Sequence, residues 1–376
     1  MVIRIIHTAD CHIGLPFKQY PADVAQRLIE ERFLALERLV AEANGRQAHF
    51  LVVAGDLFDN TRVKAGDVEK AAAVLRGFAG VAVIVIPGNH DHHANSAAEV
   101  WKRFRQATEA DAHIDLLADP AVRSYDVAGQ AVHFFPCACP SKTGAEPMIG
   151  WVAEAAARIA GGLKIGIAHG NVTGLGLDTE GQYFNMEPAA LEAAGMATWL
   201  LGHIHVPFPT SASGERVTYF MAGTPTPDSL RCRHAGSAWS IDCDADRVTR
   251  YERLAPGRVA FRRFERELLS ADDVAELLRT CAALDGRSTV LDLQLTGRLS
   301  AAERGHLAAE IDRLRPGLLH LTAECDIHDR IDAAQIDQRY RSGGLAQRLL
   351  TALLADADHP DAATLAHQLI EEVSRA

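Results

Sequence analysis

The chain has 376 residues, 48% hydrophobic and 23% charged, proportions that exclude a disordered polymer and a membrane-embedded bundle. A formal net charge of -11 excludes a surface basic enough to hold nucleic acid everywhere, so any phosphate affinity must be local. The 7 cysteines form no paired framework and read as reduced core thiols, Cys137 and Cys139 included. The first 95 or so residues alternate short β-rich runs with helical spacing, the rhythm of a layered α/β domain. A strand is expected over 2–6 and a helix over 23–44, where Leu28, Ile29, Phe33, Leu36, Leu39 and Val40 share a face. Next come a strand over 50–53, a helix over 68–78 and a strand over 81–86.

Trp101-Lys102-Arg103-Phe104-Arg105 mixes rings with cations; an amphipathic helix explains it better than a strand-binding surface. From residue 122 the chain becomes strand-rich, with strands expected over 131–135, 165–168, 199–201 and 217–222 and a helix over 151–160. Beyond about 255 its character changes. The charged stretch 258–268 offers Arg258, Arg262, Arg263 and Arg266 either to a phosphate backbone or to solvent as a linker, so no DNA-binding residue is assigned. A β-α-β unit follows, with helices over 270–284 and 300–314, each led by a capping serine, and strands over 289–295 and 318–325. The tail 333–376 is expected to be helical, broken at Gly343-Gly344 and near His359-Pro360. The expected domains are therefore 1–255, 256–332 and 333–376. No apolar run approaches the roughly 18 residues a membrane helix needs. Residues 1–8, interrupted by Arg4 and His7, are too short for a signal peptide, so a cytoplasmic chain is expected.

The chemistry lies where expected strands end. Asp10-Cys11-His12 places a carboxylate and an imidazole at i and i+2, on one side of an extended chain. Gly55-Asp56-Leu57-Phe58-Asp59 and Gly88-Asn89-His90-Asp91 follow the next two apolar strands, and glycine lets the backbone turn sharply there. His169-Gly170-Asn171 and Gly202-His203-Ile204-His205 close two later strands. A single His or Asp at a strand end is usually a solvated loop residue. Recurrence of Asp, Asn and His after strand upon strand instead describes donors for hard and borderline divalent metals. Cys11 reads as a small core group and His7 as a buried structural histidine. His92 and His93 are expected to face solvent.

These motifs resemble those of the calcineurin-like metallophosphoesterases. The opening His7-Thr8-Ala9-Asp10-Cys11-His12-Ile13-Gly14, with Gly55-Asp56-Leu57-Phe58-Asp59, is similar to the SbcD/YhaO family of DNA-repair nuclease subunits. The resemblance covers residues 1–225 by motif and the remainder by layout. It implies a four-layer metallophosphoesterase sandwich, two mixed β-sheets flanked by helices, with a small α/β capping domain and a helical C-terminal region that binds a partner. It also implies two divalent metal ions, Mn²⁺ first, with Fe²⁺, Zn²⁺ or Mg²⁺ compatible. Asp10, His12, Asp56 and His205 would hold one ion; Asp56, Asn89, His169 and His203 would hold the other. His90 would contact the phosphate or protonate the leaving oxygen, with Asp59 orienting it ahead of Asp91, which reads equally well as a turn cap.

The function implied is hydrolysis of DNA phosphodiester bonds by an exo- or endonuclease of DNA repair. A separate SbcC-like coiled-coil ATPase would be its partner, since no Gly-x-x-x-x-Gly-Lys-Ser/Thr loop occurs in this chain. The leucines at 345, 349, 350, 353 and 354 form a face for such a partner or for the chain's own packing. A homodimer is compatible, and a membrane is not expected. The alternatives are a phosphodiesterase or phosphatase for small molecules, against which the added domain argues, and a non-catalytic scaffold, against which the complete donor set argues. A protein phosphatase is disfavoured by Asp91, where those enzymes resemble one another in having Glu.

Overall fold

Buried from Ile5 onward on both faces, Val2–Thr8 forms the strand β1 in the middle of a six-stranded sheet. The computed structural model describes residues 1–93, 99–176, 178, 180–211, 217–356, 359 and 362–375. They divide into the units Met1–Ala260 and Phe261–Ala376. After β1 the first unit continues with α1 (Ala22–Gly45), β2 (Phe50–Ala54), α2 (Ala65–Arg76), β3 (Ala82–Ile86), α3 (Glu99–Ala107), β4 (Ile114–Leu116), β5 (Arg123–Val127) and β6 (Gln130–Cys137). It then runs through α4 (Val152–Ala157), β7 (Leu163–His169), α5 (Pro188–Ala193), β8 (Thr198–Gly202), β9 (Tyr219–Met221), β10 (Ala238–Asp244) and β11 (Arg247–Leu254).

One sheet has the order β11-β10-β1-β2-β3-β4, parallel from β1 to β4 and antiparallel at β10 and β11. The other runs β5-β6-β7-β8-β9, parallel except at β5. Apolar side chains of both sheets share one core, in which Ile3, Ile5, Phe50 and Ile84 meet Phe134, Ile165, Leu200 and Phe220. The outer face of the first sheet carries α1, α2 and α3 through Phe33, Leu36, Val68 and Trp101, and that of the second carries α4 and α5 through Val152 and Leu191. Two mixed sheets flanked by helices make the four layers expected. Thr8 pairs with Val53, Ala54 with Ile86, and His169 with Gly202. Level strand ends in a parallel arrangement deliver the following loops to one edge, where open α/β sheets place their sites.

The second unit carries β12 (Ala260–Leu268), α6 (Ala271–Ala282), β13 (Thr289–Leu299), α7 (Ala301–Leu314), β14 (His320–Asp329), α8 (Ala333–Arg339), α9 (Leu345–Leu354) and α10 (Ala362–Arg375). Ser270 and Ser300 cap α6 and α7 as expected, Ser300 in a reciprocal box with Glu303. Leu268, Leu277, Leu293, Leu307 and Leu321 fill the core between the three-stranded sheet β12-β13-β14 and its helices. A separate small core of Ile331, Ile336, Leu350 and Ala363 joins the last three helices. The charged stretch at 258–268 is largely the strand β12 and not a linker: Phe261 and Leu268 are its buried residues, while Arg263 pairs with Asp292 of β13 at 2.7 Å. The break expected near His359-Pro360 lies partly outside the described residues, which do not include Pro360. Among the described residues no helix is long and apolar enough to cross a membrane.

Candidate metal centre

The loops after β1 and β2 are zipped together before any side chain is considered. Asp10 N donates to Gly55 O at 3.1 Å, His12 N to Asp56 O at 3.0 Å and Ile13 N to Leu57 O at 2.9 Å, and Asp59 N returns to Ile13 O at 2.9 Å. Asp10 (φ 54°), His12 (φ 45°), Asp56 (φ 53°) and His203 (φ 101°) all sit at positive φ. Such backbone conformations cost a non-glycine residue of the order of 1 kcal/mol or more, and they cluster where side-chain aim matters. Gly55 turns the second loop at φ 88°, and a β-carbon there would fall 2.2 Å from His169 Nδ1. At the end of β8, a β-carbon on Gly202 would fall 2.2 Å from Ala54 O and 2.6 Å from Ala9 Cβ. These contacts explain glycine at both motifs.

Two sets of acceptors converge at this edge. In the first, Asp228 Oδ2 accepts from His205 Nδ1 at 2.7 Å, and Asp59 Oδ1 lies 3.5 Å from His12 Nδ1. The Nε2 atoms of His12 and His205 therefore face each other at 3.2 Å, with Asp10 Oδ1 3.6 Å from His205 Nε2 and Asp56 Oδ2 3.8 Å from His12 Nε2. In the second, His169 Nδ1 donates to Ala54 O at 2.8 Å, which aims Nε2 at Asn89 Oδ1 3.0 Å away and Asp56 Oδ2 3.3 Å away. His203 Nδ1 lies 3.1 Å from the same Asn89 oxygen. Lone pairs crowded like this repel unless a proton or a cation stands between them. The donor set fits divalent metal ions, and Asp56 borders both sets.

Asp10 and Asp56 are buried, at 0% and 1% exposure, and their partners are imidazoles and backbone amides. Burial pushes the Asp10 carboxyl above its ordinary range, against the pull of His205 and His169. Asp56 is likewise penalised by burial, but His169 and His12 overcome this and hold it well below the usual carboxylate range. The same contact acts on His169, where burial disfavours the charge and Asp56 more than restores it, lifting the ring to about 9. Burial and the positive His169 depress His203 to about 3.

All seven side chains expected as metal donors meet here. His90 reaches the same centre, with a ring nitrogen within 4.8 Å of donor atoms of His12 and Asp56. Asp59 contacts His90 differently from expectation, since its backbone carbonyl accepts from His90 Nδ1 at 3.0 Å while its carboxylate lies beside His12. Asp91 is fully buried and caps its own loop through Gly88 N at 2.6 Å, and it also holds the neighbouring loop through Phe58 N at 2.9 Å. Trp101 of α3 donates its indole N–H to Asp91 O, so the aromatic-cationic stretch is a helix whose rings brace the loop. Cys11 and His7 are core residues as expected, and burial lowers His7 to about 3. His92 and His93 are half-buried and do not face solvent freely; His93 N donates to Cys139 O.

Sequence reasoning missed several residues around the centre. Tyr183 lies against the His203 ring with centroids 5.0 Å apart. Arg32 of α1, 2% exposed, donates from Nη1 to Cys11 O at 2.7 Å beneath the first loop. Burial disfavours the Asp228 carboxylate, yet His205 and Arg32 hold it well below the usual range. Asp228 and His234 lie in the loop after β9, and no spacing pattern singled that loop out.

Residues 3–207 match the family model described as calcineurin-like phosphoesterase. Over 243 residues the chain is 28% identical to the uncharacterized metallophosphoesterase YhaO of Bacillus subtilis (strain 168), covering 62% of this chain and 54% of that protein. Over 96 residues it is 33% identical to the DNA double-strand break repair protein Mre11 of Methanosarcina acetivorans, covering 25% of this chain and 15% of the relative. A solved structure, TT1561 of Thermus thermophilus, aligns with a TM-score of 0.41 at 12% identity over 63% of this chain and 94% of its own. The chain spans about half the length of YhaO and a much smaller share of Mre11.

Proposed function

Because the chain belongs to the calcineurin-like phosphoesterase family, we propose that its centre hydrolyses phosphodiester bonds of DNA with a pair of divalent cations, Mn²⁺ by preference. Asp10, His12, Asp56 and His205 would hold one cation and Asp56, Asn89, His169 and His203 the other. The observation that carries this reading is the convergence of carboxylate, amide and imidazole acceptors on two adjoining points with Asp56 between them. A bound pair supplies polarisation of the phosphoryl oxygens and a lowered pKa for water.

The chain's own residues prepare the rest. Asp59 O accepts from His90 Nδ1, which fixes the ring, so that in the imidazolium form Nε2–H is the group that would hand a proton to the departing oxygen. Asp56 Oδ1 accepts from His90 N at 2.8 Å, tying the acid's backbone to the shared carboxylate. Asp91 and Trp101 brace that loop from behind. Choice of DNA as substrate is supported by the likeness of part of the chain to proteins named DNA double-strand break repair protein Mre11, whereas the longer likeness to YhaO supports the metallophosphoesterase chemistry alone.

The partner in this reading is an SbcC-like coiled-coil ATPase, which would dock on the last helices. Leu345 and Leu349 of α9 are 86% and 44% exposed, and Leu365, Leu369 and Val373 on one face of α10 are 48%, 61% and 76% exposed. Apolar residues at i, i+4 and i+8 are the form a helical partner reads.

Incubating the chain with Mn²⁺ and linear or hairpin DNA, beside bis-p-nitrophenyl phosphate, tests the proposal. Cleavage of both classes is expected, with Asp56→Asn slowing it about 10³-fold, the scale of several kcal/mol of transition-state stabilisation. Intact DNA alongside a cleaved small diester would reassign the chain to small-molecule phosphodiesterases.

A further inference from the structure

The loop from Gly223 to Ser237 belongs to no motif, yet it grips the centre at three points. Thr224 Oγ1 lies 2.9 Å from Asp10 O, and Ser237 N donates to Thr224 O at 2.8 Å, closing the loop against the end of β1. His234 Nε2 donates to the backbone carbonyl of His205 at 2.7 Å, while His234 Nδ1 accepts from Gly236 N at 3.0 Å. The third point is Asp228, whose Oδ2 accepts from His205 Nδ1 at 2.7 Å and whose Oδ1 accepts from Ser229 Oγ at 2.8 Å. His205 is therefore held by side chain and main chain from one loop.

Among the described residues no other imidazole at the centre has a carboxylate as close as 2.7 Å. Asp59 stands 3.5 Å from His12 Nδ1, and His169 is backed by the neutral carbonyl of Ala54. A short bond to an ionised carboxylate does two things that these do not. It fixes the tautomer, so the lone pair is on Nε2 facing Asp10 and His12, and it raises the donor strength of that nitrogen.

We propose that Asp228 is a positioning residue for the cation held by Asp10, His12, Asp56 and His205, acting through His205 and touching neither cation nor substrate. This rests on the metal-ligand reading of the preceding subsection. Its consequence is selective: removal of the carboxylate weakens one cation position and spares the one formed by Asn89, His169 and His203.

Calorimetric titration of the full chain with Mn²⁺, without substrate, tests this apart from catalysis. Wild type is expected to bind two ions, and His205→Ala to lose one event, which identifies the position. Asp228→Asn then weakens that same event about tenfold to a hundredfold and leaves the other unchanged. Asp228→Glu, which keeps a carboxylate, recovers part of the loss, and Co²⁺ absorption shifts in the asparagine variant alone. Should Asp228→Asn fold poorly, Ser229→Ala leaves the carboxylate in place, removes only its hydrogen-bond donor, and is expected to weaken the same event by a smaller factor. Two undiminished events in both Asp228→Asn and Ser229→Ala, or equal losses at both positions, would reduce Asp228 to a loop-shaping residue. Failure of wild type to bind Mn²⁺, or of His205→Ala to lose an event, would overturn the ligand reading itself, and the proposal with it.

Discussion

His169 carries a proton at neutral pH that a cation must displace, because Asp56 lifts the ring to about 9 against its burial. Each ion entering the Asn89 position should release about one proton, and its affinity should climb about tenfold per pH unit from 7 towards 9. Titrations in buffers of different ionisation enthalpy measure the released proton directly. The sign is opposite for the protein without a cation. A histidine raised in the folded state contributes stability fully present below its unfolded value near 6.5 and lost as pH rises through about 9. The expected pH trends of cation affinity and of cation-free melting temperature thus diverge over this window. The seven side chains that converge were legible because each belongs to a short motif closing an apolar run. Asp228 was not, because it follows His205 by 23 positions in a loop rich in proline and meets it only through the fold.

At the scale of elements, strand ends and glycines decide the geometry. Gly202→Ala forces a β-carbon to 2.2 Å from a backbone carbonyl, which must shift the end of β8 and with it His203 and His205. A loss of about 1–3 kcal/mol in stability is expected on thermal melting, with hydrolysis falling further than the folded fraction. Strands β1, β2, β3, β7 and β8 were readable as near-continuous apolar runs, the mark of parallel strands buried on both faces. Strands β11 and β12 were not read as strands. Tyr251 and Leu254 are the buried residues of β11, as Phe261 and Leu268 are of β12, and most of the other residues of each strand are charged. One-sided strands of this composition look like linkers until their partners are known. The short β4, of 3 residues, offers too little periodicity to detect, whereas the equally short β9 lies within the apolar run 217–222 that marks it.

For the whole molecule, the division into two units predicts separable losses of function. Leu369→Glu, on the exposed stripe of α10, should abolish co-purification with a coiled-coil ATPase while bis-p-nitrophenyl phosphate is still hydrolysed at the wild-type rate. A change at a residue 61% exposed should alter stability by no more than about 0.5 kcal/mol, checked by the melting temperature. Retention of the ATPase by that variant would remove the stripe from the partner's footprint. The net charge of -11 sets a further condition on the whole chain, since it disfavours a polyanion in general and bound cations at the strand-end edge would offset that locally.

The converging acceptors come from two layers: Asp10, His12, Asp56 and Asn89 from loops of the six-stranded sheet, and His169, His203 and His205 from the five-stranded one. Neither layer holds the whole set, so the oily plane between them is also the surface that aligns it. A ligand that wedged apart Phe50, at the start of β2, and Phe134 across the core would disarm the protein without ever competing with its substrate.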